Sequence, residues 1–242
     1  EAARRLEPHL AADVAAGVYV PAHGYVAAEA LVSALAAAAA RFGARLEVDR
    51  VVRIARRDGR LVARTAGERT LAADRIVLAA GSWSGLVEVD GDRPLPVRPV
   101  RGQLLQLAWP GDPMARIVWG PRCYLVPRLD GSLLVGATLE ETGFDERATV
   151  AGVHDLIEAA CEVVPEVWRA GFAGARAGLR PATPDHLPIV GRSRAVDGLV
   201  YATGHFRNGV LLAPLTAGLV AGLLLDDRED ELLAALSPER FP

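Results

Sequence analysis

The chain has 242 residues, 51% hydrophobic and 24% charged, so it can bury a sizeable core in one or two domains and is neither disordered nor fibrous. A formal net charge of −3 without a long basic run gives no electrostatic footprint for nucleic acid. All 27 positive side chains are arginine, and the lack of any lysine excludes Schiff-base chemistry through a lysine of this chain.

Residues 1–7 are charged, and Arg4-Arg5 precedes no apolar core of signal-peptide length. Residues 29–42 are alanine-rich and stop at Gly43, which predicts a helix with a glycine cap. Short strands are expected at 46–48, 51–56, 61–65 and 70–71, with Asp58-Gly59 as a hairpin turn. The continuous apolar run 76–80 predicts a strand buried on both faces of a largely parallel sheet, delivering Gly81 at its carboxyl end.

From 95 to 139 longer strands punctuated by Pro and Gly, with a turn at 128–132, predict an antiparallel sheet. One helix is expected at about 150–163. From Ala177 the chain returns to loop, parallel strand and buried helix. Residues 198–203 read as a buried strand, and 210–225 as an apolar helix too short and too interrupted by Pro214, Gly218 and Gly222 to span a bilayer. Between them, residues 204–209 form a polar loop bracketed by glycines. A loop feeding a helix N-terminus can hold an electron-rich oxygen or anionic ring on free amides, and an ordinary strand-to-helix turn is the other reading. Cys123 and Cys161 show neither metal-ligand spacing nor a disulfide framework, which fits a reducing cytoplasm. Five scattered histidines give no zinc motif, and no metal is expected. Trp83 occupies the centre of Gly81-Ser82-Trp83-Ser84-Gly85, so the nucleophile elbow of a serine hydrolase is missing.

Four segments carry a resemblance: AAGSWS at 79–84, CYLVPR at 123–128, GLRPATPD at 178–185 and GHFRNGVLLAP at 204–214. In this order they are similar to glycine oxidase of the thiamine-biosynthesis type, in the FAD-dependent D-amino-acid oxidase family, from about Tyr19 to the C-terminus. The resemblance implies a mixed α/β (α+β) fold, in which an interrupted Rossmann-like FAD-binding domain carries an antiparallel-sheet substrate domain. On that plan residues 1–22 and 95–175 belong to the substrate domain, and 23–94 and 176–242 to the FAD-binding domain. No G-x-G-x-x-G occurs in the chain, so the family's opening βαβ unit is expected to be missing or supplied by a separate N-terminal chain.

For the site, the resemblance implies that Arg180 binds the substrate carboxylate, for which its planar fork suits two parallel charge-assisted hydrogen bonds. Tyr124 contacts the same carboxylate, Arg207 is the second active-site arginine, and Leu139 shapes the pocket floor. Val52, Ala80, Gly81 and Trp83, with His205, Phe206, Arg207, Asn208, Gly209, Val210 and Leu211, are the implied FAD contacts. Read from residues alone, Arg180 and Arg207 could be loop cations, Tyr124 a half-buried sheet residue and Trp83 a core residue. Arg176 stands where many glycine oxidases have tryptophan, and Ala182 replaces a glycine of GLRPGT. The implied activity is oxidative deamination of glycine or another small amino acid or amine, with O2 as acceptor and H2O2 as product. A cofactor-free remnant or non-catalytic subunit is the alternative. No nucleic-acid partner and no membrane span are expected, while homo-oligomerisation is left open.

Overall fold

The computed structural model describes residues 1–241 and divides into two compact units, Glu1–Ala27 with Arg101–Leu179, and Ala28–Val100 with Arg180–Pro242.

The first unit contains α1 (Ala2–Leu6), β7 (Val118–Trp119), β8 (Tyr124–Pro127), β9 (Ser132–Gly136) and α3 (Val150–Val163). Strands β6 (Arg98–Ala108) and β10 (Gly171–Ala182) complete its sheet, in the order β10-β6-β9-β8-β7. The β6–β9, β9–β8 and β8–β7 pairs are antiparallel, as the punctuated apolar runs predict. Leu105, Leu107, Leu125, Leu133 and Val135 share one face and pack with Leu156, Ala159, Ala160 and Val163 of α3. Thr149 caps α3 by accepting from the Gly152 amide at 3.2 Å. Near the N-terminus the buried Glu7 carboxylate accepts the amides of Ala115 and Arg116 at 2.7 and 2.8 Å.

Two inward positions of β6 are polar, and their groups are paired, as burial demands. Gln103, 0% exposed, accepts the Thr149 amide at 2.8 Å and donates to Thr149 Oγ1 at 3.0 Å and Glu140 Oε1 at 2.8 Å. Arg101 donates to Glu140 Oε2 at 2.5 Å and lies 2.9 Å from Asp145 Oδ2, while Thr138 also bonds Glu140. The backbones of Arg101 and Glu140 form an antiparallel bridge that holds the segment following β9 to the sheet.

The second unit holds α2 (Ala28–Arg41), β1 (Val51–Arg57), β2 (Arg60–Thr65), β3 (Thr70–Ala73), β4 (Ile76–Leu78), β5 (Glu88–Val89), β11 (Ile189–Arg192), β12 (Leu199–Thr203), α4 (Gly209–Leu225) and α5 (Leu232–Leu236). One sheet runs β3-β2-β1-β5 and another β11-β12-β4. The β1–β2 turn has positive φ at Asp58 (49°) and Gly59 (78°), the tight hairpin geometry that Asp-Gly favours. Ile54, Leu61, Leu78, Ile189, Leu199 and Tyr201 belong to the core of this unit. Tyr201 donates to Asp92 Oδ2 at 2.6 Å, and burial followed by the bond to Asp92 pushes its phenol well above the ordinary range.

Four expectations are corrected here. Residues 46–48 form no strand, because no described neighbour offers a ladder. Strand β4 is parallel to β12 but lies at the sheet edge and exposes Val77, so it is not covered on both faces; its sheet is mixed, since β11 is antiparallel to β12. Residues 171–182, read as loop in their later part, form the strand β10. Finally α4 is apolar on every side but buries only Leu219, Gly222 and Leu223 among its residues. No described helix is long and apolar enough to cross a membrane.

Candidate active site

Strands β4 and β12 run parallel, with Leu199 opposite Ile76 and Tyr201 opposite Leu78. Their carboxyl ends therefore deliver residues 79–83 and 204–208 side by side, where open α/β sheets take ligands. Polar groups tie the two ends together. Thr203 Oγ1 donates to the Gly81 carbonyl at 3.1 Å and lies 2.7 Å from Ser84 Oγ. Both segments need glycine: Gly81 has φ +53° and Gly204 φ +75°, and a Cβ on Gly204 would lie 2.6 Å from Thr183 Cγ2.

The loop after Gly204 is held residue by residue. His205 Nε2 lies 2.8 Å from Thr216 Oγ1 on α4, and burial pushes the imidazole below its ordinary range, favouring the neutral ring. Phe206 sits at φ +48°, donates its amide to the Pro181 carbonyl at 2.8 Å and stacks on His186 with ring centroids 4.7 Å apart. Arg207 is exposed and has no ion pair or hydrogen-bond partner among the described residues. Asn208 precedes α4 without a side-chain cap bond, and the Leu212 amide is the one that reaches back to the Asn208 carbonyl. The amides of Gly209, Val210 and Leu211 thus precede the helical ladder, at the positive end of the helix dipole.

The Phe206–Pro181 bond joins this loop to the segment of Arg180, which lies partly buried on β10 between Leu179 and Pro181. Beyond it the chain turns on Thr183, whose hydroxyl donates to the Leu187 carbonyl at 2.8 Å. Asp185 accepts from Arg240 at 2.7 Å, a hydrogen bond that holds its carboxyl down at about 2. Arg180 and Arg207 accordingly belong to one unit and are linked through neighbouring backbone. Val52 is partly buried on β1 of the same unit. Trp83 is 45% exposed, which removes the reading of it as a core residue.

Tyr124 and Leu139 belong to the other unit. Tyr124 is partly buried on β8, on the face of the sheet opposite the α3 core, with its ring 5.0 Å from that of Trp119. Leu139 is 63% exposed, between Thr138 and Glu140, whose side chains are anchored by the Arg101–Gln103 network.

The family described as FAD dependent oxidoreductase (DAO) matches residues 1–223. The chain belongs to this family. It is similar to the bifunctional protein ThiO/ThiG of Synechocystis sp., at 39% identity over 247 residues covering 100% of this chain and 37% of that protein. It is also similar to glycine oxidase of Geobacillus kaustophilus, at 38% identity over 226 residues, 92% of this chain and 59% of that enzyme. The crystal structure of the latter superimposes with a TM-score of 0.90 at 37% identity, over 99% of this chain and 65% of that one. The chain therefore spans between about a third and two thirds of the length of these relatives.

The cofactor of this family suits the donors at the two strand ends. Ser82 Oγ is buried and has no hydrogen-bond partner among the described residues, a polar atom that calls for one from a bound group. The amides at the start of α4 are suited to the electron-rich edge of a flavin ring. The orphaned Ser82 and the Phe206–Pro181 bond were not found by reading the residues. A serine in an AAGSWS run looks like any other, and a bond between residues 25 apart leaves no local signature.

Proposed function

We propose that the chain forms part of an FAD-dependent oxidase of glycine or another small amino acid or amine. The observation that carries the reading is the single bond from Phe206 to Pro181, which couples the candidate cofactor loop to the backbone beside Arg180. In this reading residues 23–94 and 176–242 belong to the cofactor-binding domain, and 1–22 and 95–175 to the substrate domain.

Arg180 holds the substrate carboxylate through its guanidinium fork, and Tyr124 donates its hydroxyl to the same group. Arg207, exposed at the loop and unpaired among the described residues, supplies a second positive charge that draws the anionic end of the amino acid and favours loss of the ammonium proton. Leu139 limits side-chain size. Residues 205–211, with Ala80, Gly81, Trp83 and Val52, would hold FAD. When bound, the flavin supplies a two-electron acceptor for the α-carbon hydride, and the protein contributes orientation and local charge. Release of an imino acid to hydrolysis, with O2 as final acceptor and H2O2 as product, completes the proposed reaction. Likeness to ThiO/ThiG and glycine oxidase supports a place in thiamine biosynthesis, and the two cysteines without a disulfide framework fit a cytoplasmic setting.

The test is anaerobic mixing of FAD-loaded protein with glycine, sarcosine and D-alanine in turn, followed by air and a peroxide assay. Bleaching of the flavin by at least one of them, and peroxide on reoxidation, is expected. In Arg180→Ala the KM should rise about 10- to 150-fold, the cost of losing a charge-assisted hydrogen bond of about 1.5–3 kcal/mol. Flavin that stays oxidised with all three, in protein that retains FAD, would defeat the proposal.

A further inference from the structure

Four residues form a row across the substrate-domain sheet. Leu104 on β6 is opposite Gly136 on β9, Gly136 is opposite Tyr124 on β8, and Tyr124 is opposite Trp119 on β7. Residues directly opposite one another present side chains on the same face, and this face is the one turned away from the α3 core. Three members of the row have large side chains and the buried central one has none.

The φ of Gly136 is not among the positive values of the chain, so a left-handed backbone does not call for glycine here. The reason is lateral. A Cβ at this position would lie 2.5 Å from both Cζ and the hydroxyl oxygen of Tyr124, and would strike Leu104 Cδ2 as well, whereas ordinary contacts begin at 3.4 Å. The phenol of Tyr124 therefore lies down over the bare backbone of β9. On its other side the Trp119 ring, 58% exposed, stands 5.0 Å away at 37°. A glycine within a strand weakens it and commonly marks such a close approach.

We infer that Gly136 and Trp119 are positioning residues that set where the Tyr124 hydroxyl sits, Gly136 by leaving the slot and Trp119 by closing its open side. The inference rests on the reading in which that hydroxyl meets the substrate carboxylate. An alanine at 136 forces the ring away by about 1 Å, the difference between the 2.5 Å approach and an ordinary contact. A misplacement of this size costs up to about 100-fold in an oriented site.

The test uses the FAD-loaded protein with glycine, or with whichever amino acid bleaches its flavin, and compares Gly136→Ala, Trp119→Leu and Tyr124→Ala singly and combined. Gly136→Ala is expected to raise KM about 10-fold or more at unchanged FAD content, and Trp119→Leu several-fold. In the Tyr124→Ala background, where no ring remains to be displaced, each should change KM by less than about 2-fold. Without cofactor, Gly136→Ala should lower the melting temperature by several degrees, and Tyr124→Ala should recover the part of that loss due to the ring, the clash with Leu104 remaining. Trp119→Leu alters an exposed side chain and decides the matter if Gly136→Ala is recovered unfolded. Equal KM increases with and without the Tyr124 ring, or no increase from either variant while Tyr124→Ala itself raises KM, would overturn the inference. A Tyr124→Ala enzyme with unchanged KM would remove the role of Tyr124, and the inference with it.

Discussion

Replacing Glu140 by leucine should be among the most damaging single changes in the first unit, although the residue lies outside every strand. Its carboxylate accepts from Arg101, Gln103 and Thr138, and the Arg101 side chain is only 5% exposed. Removing one member of a buried ion pair typically costs 3–5 kcal/mol. Arg101 keeps Asp145 and Gln103 keeps Thr149, so a value near the lower end, about 3 kcal/mol, is expected. For a chain of this length that corresponds to a fall in Tm of roughly 6–12 °C, read by circular dichroism. Changing both partners, Arg101→Met with Glu140→Leu, removes the orphaned charge and should cost no more than about 1 kcal/mol. The pH dependence has a definite sign. Burial pushes the Glu140 carboxyl up, but the bonds from Arg101, Thr138 and Gln103 outweigh it and hold it below its ordinary range. Its contribution is thus complete above the unfolded pKa and is lost as pH falls through the folded one. The gap between wild type and Glu140→Leu should accordingly shrink below about pH 4. A single variant melting within about 3 °C of wild type at pH 7, or a double variant as unstable as the single, would refute the reasoning.

Gly204→Ala should destabilise the second unit by about 1–3 kcal/mol and weaken FAD retention, because the residue combines φ +75° with the close approach of Thr183; dialysis against FAD-free buffer and a melting curve would measure both. Arg240→Met should raise the pH at which acid unfolding begins. Asp185 is held down at about 2 by Arg240, so its stabilisation is present above about pH 4 and disappears as pH falls toward 2. The Cys123 thiol is pushed up to about 11 by burial, and that of Cys161 is raised as well; iodoacetamide at pH 8 should leave Cys123 unmodified in the folded protein and label it in denaturant, as mass spectrometry would show.

Local chemistry explains which elements could be read from the residues. Asp58-Gly59 takes the positive φ values its turn requires, Gly43 ends α2 at φ +90°, and α3 spans the expected 150–163 behind its Thr149 cap. Strand β10 is hidden in the sequence because Gly171–Ala182 is rich in glycine, alanine and arginine and contains no β-branched residue; pairing with β6 makes it a strand. The opposite holds at 46–48, where Leu46 and Val48 have the pattern but no partner strand among the described residues. Helix α4 misled because a uniformly apolar helix gives no sign of which side is covered. At the site, the motifs point to Arg180 and the 204–209 loop, but the Phe206–Pro181 bond and the Arg101–Gln103–Glu140 network join positions far apart in the chain. Only the shared parity of 101, 103, 105 and 107 along one strand hinted that the two polar residues point inward.

Helix α2 follows a different regime from helix α3. It has 14 residues, none of them buried, and its Val32 and Leu35 face outward. Its helicity therefore depends on alanine propensity and a few local bonds such as Ser33 Oγ to the Glu29 carbonyl, near the length at which a helix in water is marginal. Helix α3, equally long, is capped and locked by Leu156, Ala159, Ala160 and Val163. The two should part company in time: α2 amides exchange with solvent deuterium through local opening in a small fraction of the time needed by α3, whose amides wait for the loss of the sheet beneath them.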